Sequence, residues 1–278
     1  MDMLHGMVKM LYDGNLHLAP LKEPKRILDV GAGSGIWAME MASLYPDTEI
    51  HGTDLSPVQP TEVPENVYFL IDDATEPDWL WPLDHFDMIH TAHLAGSFPS
   101  FLNVLRTAYK YLKPGGYMEC LEFDFKPRCD DGTMPPPNPD GPSAYAWHDW
   151  HEYHKQANSI IDPPRPMMIA TKLSRWMREM GLVDVVEDVR KVPMNRWPKD
   201  PKMKQIGAWN AANWLAGCSG LTYGPFGPAG LGWSKNEIEV FLVDVRKAIQ
   251  NRRVHSYLNM HAVTARKPFP GEVVTPQE

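Results

Sequence analysis

Three glycines, Gly31, Gly33 and Gly35, stand between a short apolar run and a helical pattern in residues 26–41, RILDVGAGSGIWAMEM. Glycine there lets a nucleoside approach the backbone more closely than a Cβ allows, and the opening helix offers unsatisfied N–H groups to it. A carboxylate, Asp54, closes the alternating run EIHGTD about 20 residues further on, where folds of this kind bind ribose hydroxyls. The chemistry suited to this set is the holding of a nucleoside-bearing cofactor. A dinucleotide fingerprint would read G-x-G-x-x-G; the pattern here is G-x-G-x-G with Ile36 following, which argues against a nicotinamide site.

A second group of residues suits proton chemistry. Trp147, Trp150 and Tyr153 alternate with His148, His151 and His154 at a spacing of three, an aromatic stripe beside a histidine stripe on one helix. Histidine takes a proton near neutral pH or, as a cation, steadies an anion, which makes His93, His148 and His154 catalytic candidates with His151 beside them. Zinc ligation and a solvated face are the competing readings for the cap histidines; an i, i+3 pair lacks the further ligands a zinc site recruits, and no metal is expected. Trp147, Trp150, Trp209 and Trp214 either line an aromatic acceptor site or pack the core. Glu122 reads as a pocket acid or as a solvated loop carboxylate.

Strands are expected at 27–30, 49–54, 67–71 and 86–91, and a fifth follows the Lys113-Pro114-Gly115-Gly116 turn. Residues 1–20 begin as a helix with Met3, Leu4, Met7, Met10 and Leu11 on one face. The Pro-rich loop MPPPNPDGP precedes the histidine helix, which reads as a cap. An amphipathic helix over 167–180 ends at Gly181, a strand covers 182–192, and 196–233 reads as irregular. Ser234 with Glu237 forms a capping-box signature opening a helix to 248, and a last strand over 257–265 returns antiparallel beside the sixth. Residues after Pro268 read as a loose tail.

With Asp29 before the glycines, Asp54 and Leu55 after the second strand, and Asp72-Asp73-Ala74 after the third, the chain resembles class I S-adenosylmethionine (SAM) methyltransferases. The resemblance implies an α/β, Rossmann-like seven-stranded sheet with helical cap insertions. It places Asp29 near the methionine part of SAM, assigns Gly31, Gly33, Gly35 and Thr91 to the same site, and puts the adenine beside Asp73. DGNLHLAP (13–20), GIWAMEMASLYP (35–46), FDMIHTAHLAGS (86–97), LKPGGYMECLEFD (112–124), KVPMNRWPKDP (191–201) and YLNMHAVTARKP (257–268) resemble fungal methyltransferases related to the secondary-metabolism regulator LaeA. Related sequences usually carry arginine after the I-H-x of the fourth strand; this chain has Ala92 and His93.

The expected plan is an N-terminal helical segment to residue 20, a SAM-binding core over 21–127, a cap insertion over 128–166, a core helix and strand over 167–192, a second insertion over 193–255, and a last strand with its tail. The expected reaction is O-methylation of a carboxylic acid or phenol-like hydroxyl of a small molecule in fungal secondary metabolism, with S-adenosylhomocysteine as product. A SAM-binding regulator acting through protein partners is the alternative.

Composition agrees. At 278 residues with 43% hydrophobic content a substantial core is available. A net charge of −8 without a dense basic cluster argues against nucleic acid as partner. Cys120, Cys129 and Cys218 form no CxxC pair or disulfide framework, which points to a reducing compartment. No apolar run is long enough for a membrane span and no signal-peptide pattern opens the chain. A cytoplasmic protein is expected, with the nucleus as second location, a small-molecule acceptor as partner and a homodimer as the assembly to test.

Overall fold

The computed structural model describes residues 2–138 and 140–272. Seven strands form one mixed sheet: β1 (Arg26–Val30), β2 (Glu49–Asp54), β3 (Val67–Ile71), β4 (Phe86–Ala92), β5 (Leu112–Phe123), β6 (Val183–Pro193) and β7 (Tyr257–Arg266). Their order is β3-β2-β1-β4-β5-β7-β6. Strands β1 to β5 pair in parallel, and β7 runs antiparallel between β5 and β6. The order reverses between β1 and β4, so the carboxyl ends of those strands diverge and leave a crevice.

Burial explains the strand composition. Ile27, Leu28 and Val30 are all buried, Ile27 and Leu28 on opposite faces, as a two-faced parallel strand requires. One face packs on α2 (Ile36–Leu44) through Trp37, Ala38 and Met41; the other packs on α3 (Phe101–Tyr111) and α5 (Leu173–Glu179) through Val104, Leu105 and Leu173. The largest cluster lies over β5, β6 and β7. There α1 (Asp2–Leu11), α4 (Ala146–Ile160), α6 (Pro201–Phe226) and α7 (Lys235–Gln250) join Leu121, Phe123, Val192 and Met260.

Most of residues 196–233, expected to be irregular, is one helix. Asp200 caps Met203, Pro201 occupies the first turn, and α6 runs 26 residues. Its four interior glycines, Gly207, Gly217, Gly220 and Gly224, together weaken it by about 2–4 kcal/mol relative to alanine. Burial of Ile206, Trp214 and Phe226, at about 1.5–3 kcal/mol for each large apolar side chain, offsets that. Gly207 also has a packing reason: a Cβ there would lie 2.0 Å from the Asn195 carbonyl oxygen.

Smaller differences follow. Lys113 to Gly116 is an irregularity within β5, where the β4 register shifts, and not a turn before it. The helix expected over 167–180 is shorter, one 3-10 turn at Ala170–Lys172 followed by α5; Gly181 takes φ +85 at its end, as expected of a C-cap. Ser234 and Glu237 do form the capping box. Within the supposed tail, the Arg266 guanidinium binds Glu272, while residues 273–278 lie outside the described residues. No described helix is long and apolar enough to cross a membrane.

Candidate active site

A cavity of about 920 Å³ opens at the carboxyl ends of β1, β4 and β5. Its floor on one side is the glycine turn. Gly31 and Gly35 have φ of +74 and +77, and a Cβ would lie 2.5 Å from Leu94 at the first and 2.2 Å from Phe69 at the second. Backbone conformation and packing therefore both demand glycine there. Asp54 accepts the amides of Gly33 and Ser56, each at 2.9 Å, which fixes its carboxylate beside the turn. Asp29, buried at the end of β1, accepts a hydrogen bond from His90 Nδ1 at 2.8 Å, and the Trp37 ring stacks on His90 at 3.8 Å.

Helix α1 closes this half from above with Leu4, His5, Val8 and Lys9; Lys9 donates to Glu40 at 2.6 Å and His5 lies 3.2 Å from the same oxygen. Behind α1 the segment Leu16 to Ala19 is tied down by buried Glu119, which accepts the amides of Leu18 and Ala19, and by Trp37, which donates to the Leu16 carbonyl.

Across the cavity stands an aromatic wall. Phe123 and Phe125 of the β5 end, Trp150 and His154 of α4, and Trp214 of α6 line it. Between the two halves lie His93 and Glu122. His93 is held at φ +59, a conformation costly for a side-chain-bearing residue and one concentrated at functional sites. Burial pushes its pKa down to about 4, so the ring is neutral near pH 7, and its Nδ1 has no partner among the described residues. Glu122 is fully buried and accepts the amides of Leu94 at 2.6 Å and Ala95 at 3.2 Å. Burial outweighs those two bonds and raises its pKa to about 8.

Comparison with known proteins decides the class. The methyltransferase domain family matches residues 5–187. A secondary metabolism regulator of Cochliobolus heterostrophus is 35% identical over 274 residues, spanning 96% of this chain and 86% of that protein. Methyltransferase pytC of Aspergillus terreus is 33% identical over 271 residues, 97% of this chain and 80% of that protein. The chain belongs to the methyltransferase family. Within it the chain is one of the LaeA-like methyltransferases, and SAM is its cofactor. A Haemonchus contortus phosphoethanolamine N-methyltransferase bound to S-adenosylhomocysteine shares the fold, with TM-score 0.55 at 17% identity over 95% of this chain; this chain spans about half of that one.

The residues of this methyltransferase fit the cofactor. The left-handed glycine turn leaves the backbone bare, and the Asp54 and Asp29 carboxylates flank the cavity beside it. Of the residues expected at the site, Asp29, Gly31, Gly33, Asp54, His93, Glu122, Trp150, His154 and Trp214 line the cavity. Gly35 shapes the turn without lining it. Leu55 is exposed, and Asp72, Asp73 and Ala74 follow β3 outside the lining; the Asp73 carboxylate accepts from the amide and hydroxyl of Thr75. Thr91 is buried within β4.

Four expectations are corrected. Trp147 is fully buried and stacks on Trp150 at 5.0 Å behind the wall, and His151 is buried among Trp147, Trp150 and Trp214; neither lines the cavity. His148, half-buried at 3.9 Å from Asp149, is also outside it. Trp209 packs on Gly6 and joins α6 to α1, so closely that a Cβ at Gly6 would lie 2.2 Å from the indole. Reading α4 as an aromatic face beside a histidine face missed that Trp147, Trp150, His151 and His154 are all buried together. Among the described residues no three metal-ligating side chains gather. Glu122 is a buried pocket acid and not a solvated carboxylate.

Sequence reasoning missed His90, Lys9 and Glu119. For His90 a signal existed: once β1 and β4 are neighbours, their register sets Asp29 opposite His90.

Proposed function

We propose that this methyltransferase O-methylates a small molecule of fungal secondary metabolism, at a carboxylic acid or a phenol-like hydroxyl. The supporting observation is one continuous cavity that runs from the glycine turn to an aromatic wall with Glu122 between them. SAM, when bound, supplies an electrophilic methyl group. Asp54 would hold the ribose hydroxyls, Asp29 the methionine amine, and Asp73 the adenine amino group. Leu55, Asp72, Ala74 and Thr91 complete the surroundings proposed for the donor.

Transfer needs alignment and exclusion of water, which α1 and the wall supply. For a hydroxyl acceptor the proton must also leave. His93 is a poor recipient because a group with pKa about 4 is mismatched to a hydroxyl; Glu122 is closer, with pKa about 8. The acceptor oxygen gains the methyl, its proton passes to the Glu122 carboxylate, and His93 offers its neutral ring as a hydrogen-bonding group.

Turnover of SAM with panels of aromatic acids and phenols tests this. With a phenol, activity rises with pH through about 8 as Glu122 ionises. Glu122→Gln lowers it on the order of 100-fold and removes that rise, a general base being worth roughly 100 to 10,000-fold. Donor binding without turnover of any such acceptor would contradict the reading. It would favour the regulatory alternative, which the name of the Cochliobolus relative supports.

A further inference from the structure

The wall opposite the glycine turn has two features that bear on what it holds. The first is a pair of helical glycines. Gly217 and Gly220 of α6 line the cavity; a Cβ at Gly217 would meet only one atom at 4.0 Å, and one at Gly220 would meet nothing within 4 Å. Unlike Gly207, neither is forced by a neighbour or by a positive φ, so each weakens the helix and leaves open space in return.

The second is a set of buried polar atoms that lack partners. His154 is 2% exposed and Trp214 5%, both line the cavity, and neither ring nitrogen of His154 nor the Trp214 indole N–H is bonded among the described residues. Such atoms cost on the order of 1–3 kcal/mol each unless something binds them. The Trp150 indole, also in the lining, donates to Thr222 at 2.8 Å, while Trp147 Nε1 and both His151 ring nitrogens, buried outside the lining, are likewise without partners among the described residues; His154 and Trp214 are the two such residues of this wall that a ligand in the cavity can reach. A neutral hydroxyl or carbonyl satisfies both kinds of atom, since Trp214 donates and a neutral imidazole does either.

Charge narrows the ligand. Lys9 is the one lysine or arginine in the lining among the described residues, and it is bound to Glu40; the lining carboxyl groups are Asp29, Asp54 and Glu122, the last held mostly protonated at pH 7 by burial. A carboxylate brought against this wall would be desolvated with no free lysine or arginine of the lining to meet it.

We propose that His154, Trp214, Gly217 and Gly220 form the acceptor subsite, and that it takes a neutral, flat aromatic alcohol and rejects the corresponding carboxylate. The ring lies in the trough left by the two glycines, against Phe125 and Trp150, with its polar edge toward His154 and Trp214. This deepens the O-methylation reading and rests on it.

Calorimetric titration of the S-adenosylhomocysteine-loaded protein at pH 7 tests the subsite, with 2-naphthol and 2-naphthoate as probes. The expected result is binding of 2-naphthol at least tenfold tighter than 2-naphthoate. Gly217→Leu with Gly220→Leu should weaken 2-naphthol at least tenfold while S-adenosylhomocysteine affinity stays within twofold; leucine favours the helix, so misfolding does not explain such a loss. His154→Phe should weaken 2-naphthol as well. Equal or tighter binding of 2-naphthoate, no binding of 2-naphthol, or indifference to the glycine replacements would each overturn the subsite while leaving donor binding intact. Failure of the unmodified protein to bind S-adenosylhomocysteine would overturn the methyl-transfer reading itself, and the subsite with it.

Discussion

At the glycine turn the polar side chains already have protein partners: Asp54 holds the amides of Gly33 and Ser56, and Asp29 holds His90. Across the same cavity His154 and Trp214 have none among the described residues, and α6 is hollowed by Gly217 and Gly220. One half is organised before any ligand arrives, while the other leaves its hydrogen-bonding capacity for the ligand to satisfy. A fixed glycine turn suits the donor role proposed for it, since the cofactor is the same in every turnover. A wall with unpartnered ring nitrogens and open space beside it suits the acceptor role proposed for it.

Replacing Trp147 should give the largest effect on stability and sharpens where the wall ends. Trp147 is fully buried and does not line the cavity, so Trp147→Ala is expected to cost about 3–5 kcal/mol of stability. Denaturant unfolding measures that loss, and S-adenosylhomocysteine affinity of the folded variant should be unchanged. Intact stability with altered acceptor use would move Trp147 into the site and break the distinction between wall and core.

His90→Phe addresses the donor half. It keeps a ring under Trp37 but strips Asp29 of its hydrogen bond, and should weaken S-adenosylhomocysteine binding about tenfold, or about 1.4 kcal/mol. Unchanged affinity would mean that Asp29 needs no fixing. Ser234→Ala, outside the cavity lining, should cost only about 1 kcal/mol in unfolding experiments through loss of the capping box, with donor and acceptor binding untouched.

The glycine turn was legible because its parts are local. Gly31, Gly33, Gly35 and Asp54 fall within two strands and one turn, where residue type is dictated by φ and by close approach. The sheet was legible for the same reason, since buried parallel strands read as short apolar runs. The aromatic wall is assembled from residues far apart in the chain: Phe125 meets Trp214 across 89 positions, with ring centroids 6.2 Å apart. No periodicity reports such a contact.

Helix α6 hid for a related reason. Packed against α1, α4, α7 and β6, it carries no single apolar stripe, and its glycines imitate loop composition. In α4 the opposite error arose. The spacing of Trp147, Trp150 and His151 is helical, but spacing alone does not show that aromatic and histidine residues share one buried face. Glu122 could be placed at a strand end, yet only the fold shows that it is buried and raised in pKa.

The most direct test of the account is calorimetric titration of S-adenosylhomocysteine into the unmodified protein and into Asp54→Ala. The account predicts affinity on the order of micromolar for the former, and a loss of at least about tenfold in the variant. Equal binding by both proteins, or none by the unmodified one, would contradict the assignment of the glycine turn and Asp54 as the donor site.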